Sequence, residues 1–208
     1  MAISCLLGIK LGQSQVFDDK NERIPVTRVK TGPCLVVSKR KLGNSIRMQM
    51  GFGNKKITNK PQLGHLKGAG IKTAPRYLKE VEIQGEDVYQ LGQEIKIGDV
   101  FKIGDIVKVS GISKGKGFGG VVKRHGFKGG PKTHGQSDRL RAPGAIGSTT
   151  TPGRVYKGKR MAGHLGVDRV TIKGLTVVNI NSEENFMLIK GLIPGHKNGL
   201  VEVYLQDK

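Results

Sequence analysis

The residues best suited to chemistry form a glycine-rich motif that could hold a phosphate group. Gly115–Gly120 (GKGFGG) matches G-x-G-x-x-G, and Val122 extends the match to the glycine loop of protein kinases. Such a loop opens a helix, and a dinucleotide site adds an acidic residue about 20 positions further on. The residues after Gly120 show no helical period, Asp138 lies among loop-forming residues, and the kinase H-R-D and D-F-G segments are absent. A nucleotide-binding enzyme that uses Gly115–Gly120 therefore stays an alternative, not the main prediction.

A second motif comes close to the P-loop of nucleotide hydrolases. Gly126–Thr133 (GFKGGPKT) would match G-x-x-x-x-G-K-T if its second glycine were present. Pro131 stands there instead and has no N–H group, so a donor is missing where the phosphate would lie. We do not predict a P-loop.

The five histidines do not form a recognisable catalytic or metal site. Four of them lie among glycines and cations with no acid nearby, whereas a metal-binding histidine usually has such a partner to orient its ring. Cys5 and Cys34 have no metal-like spacing either. We predict no catalytic residue, no metal site and no small-molecule substrate.

The segment around these motifs is strongly basic. Residues 110–166 contain 15 of the 32 glycines and twelve Lys or Arg but one acid, Asp138, for a net charge of 12 − 1 = +11. Like charges held close together destabilise a compact state, and the segment has too little apolar periodicity to form its own core. Ordering its backbone costs on the order of 60–110 kcal/mol. A polyanionic partner must supply that stabilisation, and we predict nucleic acid.

The bulk composition excludes other partners. The 208 residues carry 36 Lys and Arg against 16 Asp and Glu, a net charge of +20. A membrane-surface segment needs an amphipathic helix, whereas the basic segment is broken by glycines, and no apolar run approaches the ~18–20 residues of a membrane span. Lys10 follows the apolar start instead of preceding it, so we predict no export signal. Two isolated cysteines fit a reducing compartment, and we expect a cytoplasmic protein that binds no membrane.

Aromatic side chains within the basic segment favour RNA. Phe118 and Phe127 lie among lysines and glycines, where rings can stack on bases and a glycine backbone can approach phosphates closely. We predict a structured RNA that is recognised by shape and backbone, with no cofactor except Mg²⁺ held by the RNA itself. The predicted RNA-binding residues are Lys114, Lys116, Phe118, Lys123, Arg124, His125, Phe127, Lys128, Lys132, His134, Arg139, Arg141, Arg154, Lys157, Lys159, Arg160 and His164, with Lys55, Lys56, Lys60 and Lys67 in a second basic stretch.

These residues must be positioned by a mainly-β framework. Short β-branched and apolar runs bounded by Gly, Asn or Asp predict strands at 3–11, 24–30, 33–39, 46–50, 77–83, 170–173, 175–180, 186–190 and 200–205. Residues 99–110 predict two further strands, and the polar residues 181–185 predict a hairpin turn. The stretch from about residue 51 to residue 76 predicts an irregular basic insertion with one helix near Gln62–Lys67. We predict a small closed β-barrel from residues 1–109 and 167–208, with residues 110–166 as a long, extended basic finger.

Several ordered motifs resemble one known family. The chain is similar to the bacterial form of large-subunit ribosomal protein L-three at Gly115–Gly135, Arg141–Gly147, Thr151–Val155 and Lys157–Gly166, and in its opening residues at Gly8–Phe17 and Pro25–Cys34. The match spans nearly the whole chain.

The resemblance implies a translation-protein-like β-barrel and a structural role without enzymatic activity. It implies direct binding to large-subunit ribosomal RNA, especially its last domain, early in subunit assembly and beside neighbouring large-subunit proteins. The finger would reach toward the peptidyl transferase centre, with its tip at Gly147, Ser148, Thr149, Thr150 and Thr151. A free-standing RNA-binding or RNA-chaperone protein stays the alternative.

The chain departs from the family pattern at two places. Gly12–Gln15 reads GQSQ where the family usually has G-M-T-Q. Thr150 stands before T-P-G, where many bacterial members carry a glutamine that is methylated on its side-chain amide. Threonine has no amide, so that modification cannot occur at this position.

Overall fold

The prediction of a mainly-β protein is confirmed by the structure, a computed structural model that describes residues 3–18, 20–43, 45–84 and 89–206. The strands are β1 (Cys5–Phe17), β2 (Arg23–Thr31), β3 (Cys34–Leu42), β4 (Ser45–Asn54), β5 (Pro75–Gln84), β6 (Glu94–Ile95), β7 (Ile106–Ile112), β8 (Phe118–Gly119), β9 (Gly163–His164), β10 (Arg169–Asn181), β11 (Phe186–Lys190) and β12 (Leu200–Leu205). The helices are α1 (Lys60–Lys67) and α2 (Val121–His125).

The chain divides into two units. We call Met1–Ile112 together with Arg169–Lys208 the strand unit, and Ser113–Asp168 the glycine-rich unit. The strand unit carries ten of the twelve strands described here, and the glycine-rich unit carries β8, β9 and α2.

Six strands of the strand unit form a closed ring of antiparallel pairs. Their order is β1-β12-β7-β10-β11-β2, and β2 pairs back onto β1. Cys5 at the start of β1 lies opposite Tyr204 near the end of β12, so the two ends of the sequence are joined by one ladder. Val107 and Val109 of β7 and Val201 and Val203 of β12 point into the core at alternate positions, as a period of two requires, and the polar residues Ser110 and Glu202 of the same strands are buried as well.

A second sheet, with the order β5-β4-β3-β6, packs beside the ring and is absent from the predicted architecture. One continuous core joins the two, because Met48 and Met50 of β4 cluster with Leu7 of β1 and Val203 of β12. The other face of this second sheet packs against α1, whose buried Leu66 clusters with Val37 and Ala74. A bulge between Val36 and Ser38 lets Val36 join the main core while Val37 joins the smaller cluster.

The structure corrects two strand predictions. The segment 99–110 holds one strand, β7, because two turns precede it. Residues 97–99 form a 3₁₀ turn in which the Asp99 carboxylate accepts from the Lys96 N–H at 2.9 Å, and residues 102–105 form a turn in which the Asp105 carboxylate accepts from the Lys102 N–H at 2.7 Å. The predicted strands 170–173 and 175–180 are one strand, β10, with a register shift between Ile172 and Leu175. The predicted hairpin turn at 181–185 is confirmed, since β10 and β11 pair directly across it.

The predicted insertion begins later than expected. The sequence pattern places the end of this strand at Met50, but β4 continues to Asn54 and Phe52 is buried. A Cβ atom at Gly51 would lie 2.7 Å from Pro75, so this glycine permits close packing of two strands and does not mark a loop. The helix predicted near Gln62–Lys67 is confirmed as α1.

Both cysteines lie in the core of the strand unit. The side chains of Cys5 and Cys34 have an exposed fraction of 0%. Burial raises the pKa of both thiols, that of Cys34 to about 12, and the nearby Glu202 carboxylate adds to the rise at Cys5. Since the thiolate is the reactive form, neither thiol is reactive while the fold is intact.

We expect a thiol reagent at pH 8 to leave the native protein unlabelled and to label both cysteines in denaturant. The same raised pKa values make the stability of the fold depend on pH. The neutral, buried thiols contribute their full stabilisation at pH values below 9.0, the ordinary pKa of a thiol in the unfolded chain. That contribution is lost as the pH rises from 9 toward 12, so the denaturant midpoint should fall over this range. Rapid labelling of native protein would show that the core is open.

Candidate nucleic-acid interface

The glycine-rich unit is closed at its base by two antiparallel segments. The Ser113 N–H donates to the Asp168 carbonyl at 2.9 Å, and the Lys116 N–H donates to the Leu165 carbonyl at 2.9 Å. The Leu165 N–H donates back to the Gly117 carbonyl at 2.9 Å, and β8 pairs with β9 immediately beyond. This ladder brings Phe118 and His164, two predicted RNA-binding residues, directly opposite each other.

Gly166 is required in this base for two reasons. Its φ is +86°, a conformation that residues with a Cβ atom rarely adopt. A Cβ atom there would also collide with the Lys114 carbonyl oxygen. The two segments of the base can approach each other only because position 166 has no side chain.

A short helix follows β8, although the sequence showed no helical period. Helix α2 has five residues, too few to reveal a period of 3.6, and it ends where Gly126 adopts a left-handed φ of +73°. The Arg124 guanidinium donates to the Met161 carbonyl at 2.7 Å, and the His125 ring lies 3.0 Å from the same oxygen. Both side chains therefore tie α2 to the returning chain.

The geometry does not support a dinucleotide site at Gly115–Gly120. A dinucleotide loop follows a strand of a parallel sheet. Here β8 lies inside the motif and pairs antiparallel with the two-residue β9. The alternative of a nucleotide-binding enzyme therefore lacks its structural framework.

The cationic side chains of the glycine-rich unit point into solvent. All of the predicted lysines and arginines in Ser113–Asp168 are exposed except Arg124, which is half-buried. Phe118 is 78% exposed, whereas Phe127 and His125 are half-buried. The buried residues described in this unit are Gly119, Val121 and Gly166, so packing contributes little to its stability. The predicted tip residues 147–151 are all exposed.

The second basic stretch lies around α1 in the strand unit. Lys55, Lys56, Lys60 and Lys67 are all exposed, and the Lys55 ammonium donates to the Gln62 side chain at 3.1 Å. The nearby His65 ring lies 2.6 Å from the Gln49 amide oxygen. These cations form a surface that belongs to the strand unit alone.

A further cationic pair escaped the sequence analysis. Arg40 of β3 and Arg47 of β4 lie directly opposite each other, and both are exposed. Like charges directly opposite each other on paired strands are destabilising unless an anion lies between them. Arg47 has a partial counter-charge, because Glu82 of β5 lies opposite it on the other side of β4. Only the strand register reveals this pair, because the two arginines are seven positions apart in sequence.

Neither a metal centre nor a membrane helix occurs in the part of the chain that the structure describes. Within residues 3–18, 20–43, 45–84 and 89–206, no three His, Cys, Asp or Glu side chains come together as metal ligands. No helix in those ranges is long and apolar enough to cross a membrane.

Comparisons with known proteins give one consistent result. A family model described as "Ribosomal protein L3" matches residues 76–185, which include the whole glycine-rich unit. A protein of Thermomicrobium roseum named "Large ribosomal subunit protein uL3" is 54% identical over 203 residues, covering 97% of this chain and 94% of its own. Proteins of the same name from Herpetosiphon aurantiacus and Acetivibrio thermocellus are 52% and 46% identical, each covering 95% of this chain and 94% of their own.

We expect Gly166→Ala to loosen the base of the glycine-rich unit. Strain at a positive φ costs about 1–3 kcal/mol, and the collision with the Lys114 carbonyl adds to it. The N–H groups of Lys116 and Leu165 form the hydrogen bonds between the two segments of the base, so their amide hydrogen exchange should accelerate about tenfold or more. Gly120→Ala is the matched control, since a Cβ atom at Gly120 meets nothing within 4 Å and its φ is −67°. Equal exchange rates in the two variants would contradict this account of the base.

Proposed function

The chain belongs to the ribosomal protein L3 family and is a structural component of the large ribosomal subunit, not an enzyme, and on this premise we propose which RNA its two units bind. Binding to ribosomal RNA is general for this family. We propose that the strand unit binds the last domain of the large-subunit RNA and that the glycine-rich unit extends as a finger toward the peptidyl transferase centre. Binding early in assembly would let the finger order as the RNA folds around it.

One observation carries this proposal: the unbalanced and exposed charge of the glycine-rich unit. Residues 113–168 contain twelve Lys or Arg and the acids Asp138 and Asp168, a net charge of 12 − 2 = +10, and eleven of the twelve cations are exposed. Side chains so exposed are free of the desolvation cost of burial and can each neutralise a phosphate. A unit with so small a core requires the RNA phosphates as its counter-charge.

The exposed turn at residues 147–151 suits the tip of such a finger. It lacks cations of its own, and its threonine hydroxyls can donate to phosphates or to 2′-hydroxyl groups. Thr150 stands where many relatives carry the modifiable glutamine, so this tip would present a hydroxyl and a methyl group to the RNA.

We further propose that the closed strand ring is the small β-barrel of translation proteins. Mg²⁺ at the interface would be held by RNA phosphates, and neighbouring ribosomal proteins would bind the strand unit.

The placement of the tip is tested by crosslinking within large subunits. A photoreactive amino acid in place of Thr150 should crosslink to RNA nucleotides at the peptidyl transferase centre. The same amino acid in place of Lys102, an exposed residue of the strand unit, should crosslink elsewhere or not at all. Crosslinks from position 150 that fall only on peripheral RNA helices would refute the finger.

The role of the exposed cations is tested by the salt dependence of RNA binding. Lys128→Ala combined with Lys132→Ala should flatten the slope of log K against log salt by about 1.4 to 1.8, since each lost phosphate contact contributes roughly 0.7 to 0.9. Lys128→Arg combined with Lys132→Arg keeps both positive charges and should leave the slope unchanged. An unchanged slope in the first variant would mean that Lys128 and Lys132 face solvent in the complex.

A further inference from the structure

We propose that a cleft in the glycine-rich unit binds one unstacked nucleotide of the RNA, an inference that rests on the proposed function. The cleft has a volume of about 630 Å³, which falls in the range of sites that hold small molecules. Its walls come from two segments, 125–130 and 136–144, and from Arg160. All of these residues belong to the glycine-rich unit, so the cleft is formed by that unit alone.

The charge of the cleft suits a phosphate. Lys128, Arg139 and Arg160 line it, and all three side chains are exposed. None of the residues lining the cleft is acidic. Arginine can bind a phosphate through two parallel N–H groups, so two arginines and one lysine can hold the group from several sides.

The cleft also contains the surface on which a base would stack. The Phe127 and His125 rings line it with their centroids 6.0 Å apart and their planes tilted by 43°. Both rings are half-buried, so each packs against the unit while part of it stays accessible. The His125 ring is positioned by its contact with the Met161 carbonyl. Stacking on an aromatic ring is the usual way in which proteins bind an unpaired RNA base.

Hydrogen bonds and a close backbone approach join the walls of the cleft. The Gly130 N–H donates to the Leu140 carbonyl at 2.9 Å, which joins the two wall segments. The Gln136 amide, oriented with its oxygen toward the backbone, accepts from the Arg139 N–H at 2.8 Å. Gly129 has a φ of +78°, and a Cβ atom there would collide with the Leu140 carbonyl oxygen. These contacts set the spacing of the two walls, so a nucleotide that binds between them also stabilises the ordered form of the unit.

The shape of the cleft favours a single nucleotide over a double helix. An RNA helix presents a broad surface of phosphates and a shallow groove, and it binds to exposed cations on a convex or flat face. A cleft of about 630 Å³ that combines two rings with three cations instead fits one base with its phosphate. The base would lie against Phe127, and the phosphate would lie among Lys128, Arg139 and Arg160.

The test is 2′-hydroxyl acylation of large-subunit RNA bound to the full-length protein. The wild-type protein should protect one unpaired nucleotide that reacts in free RNA. Phe127→Leu keeps an apolar side chain but removes the ring, so that nucleotide alone should become reactive again. Affinity should fall about 5- to 150-fold, the loss expected when one stacked base is released. Phe127→Tyr, which keeps the ring, should restore the protection.

Matched controls separate this inference from the proposed function. Tyr156→Leu removes an exposed ring of the same unit that does not line the cleft, and it should leave the nucleotide protected. If Phe127→Leu changes reactivity no more than Tyr156→Leu does while both bind RNA, the nucleotide site is refuted and the proposed function stands. If the wild-type protein binds no large-subunit RNA, the proposed function itself fails. If free AMP, GMP, CMP or UMP slows hydrogen exchange at residues 127–130 as strongly as RNA does, the occupant is a free nucleotide and the assignment to RNA is wrong.

Discussion

The pairing of β7 with β10 is the interaction on which the rest of the structure depends. These strands lie on either side of the 56 residues from Ser113 to Asp168 in sequence, yet Ile112 and Arg169 are partners in one ladder. The pairing also closes the ring, because β7 binds β12 on its other edge and β10 binds β11. The chain therefore leaves the strand unit and returns to it at adjacent positions. A long insertion at such a point costs little, since the entropy of closing a loop grows only with the logarithm of its length.

The same framework explains where the few acids are used. Glu202 of β12 is buried, and its carboxylate pairs with Arg169 and lies 3.4 Å from the Lys79 ammonium. The Tyr204 hydroxyl donates to it at 2.9 Å, and burial together with this carboxylate raises the pKa of that tyrosine. A buried carboxylate without such partners would be strongly destabilising. At this site the strand unit neutralises two of its cations internally, although its overall net charge is 24 − 14 = +10, whereas the glycine-rich unit leaves eleven exposed cations for a partner.

The sequence predicted the features that depend on neighbouring residues. Alternation identified most strands of the ring, and a polar run identified the turn between β10 and β11, because both signals are local. The second sheet was missed, since nothing local shows that β3 to β6 pair among themselves. Composition identified the cations of the interface, but it gave no sign that Arg124 is tied to Met161 or that Arg40 faces Arg47. Gly51 was misinterpreted as a loop residue because a glycine required for close packing against Pro75 looks the same in sequence.

The glycines of the interface explain why so little apolar packing suffices. At Gly166 and Gly129 the missing Cβ atom lets two backbone segments meet and hydrogen-bond, so the fold of the unit is held by its main chain and not by a core. Because that main chain needs few side chains for packing, nearly all of the long side chains can point outward and carry charge. The cost is mutual repulsion, which falls when each cation meets a phosphate. Stability and binding in this unit are therefore linked: RNA that binds the ordered form also stabilises it.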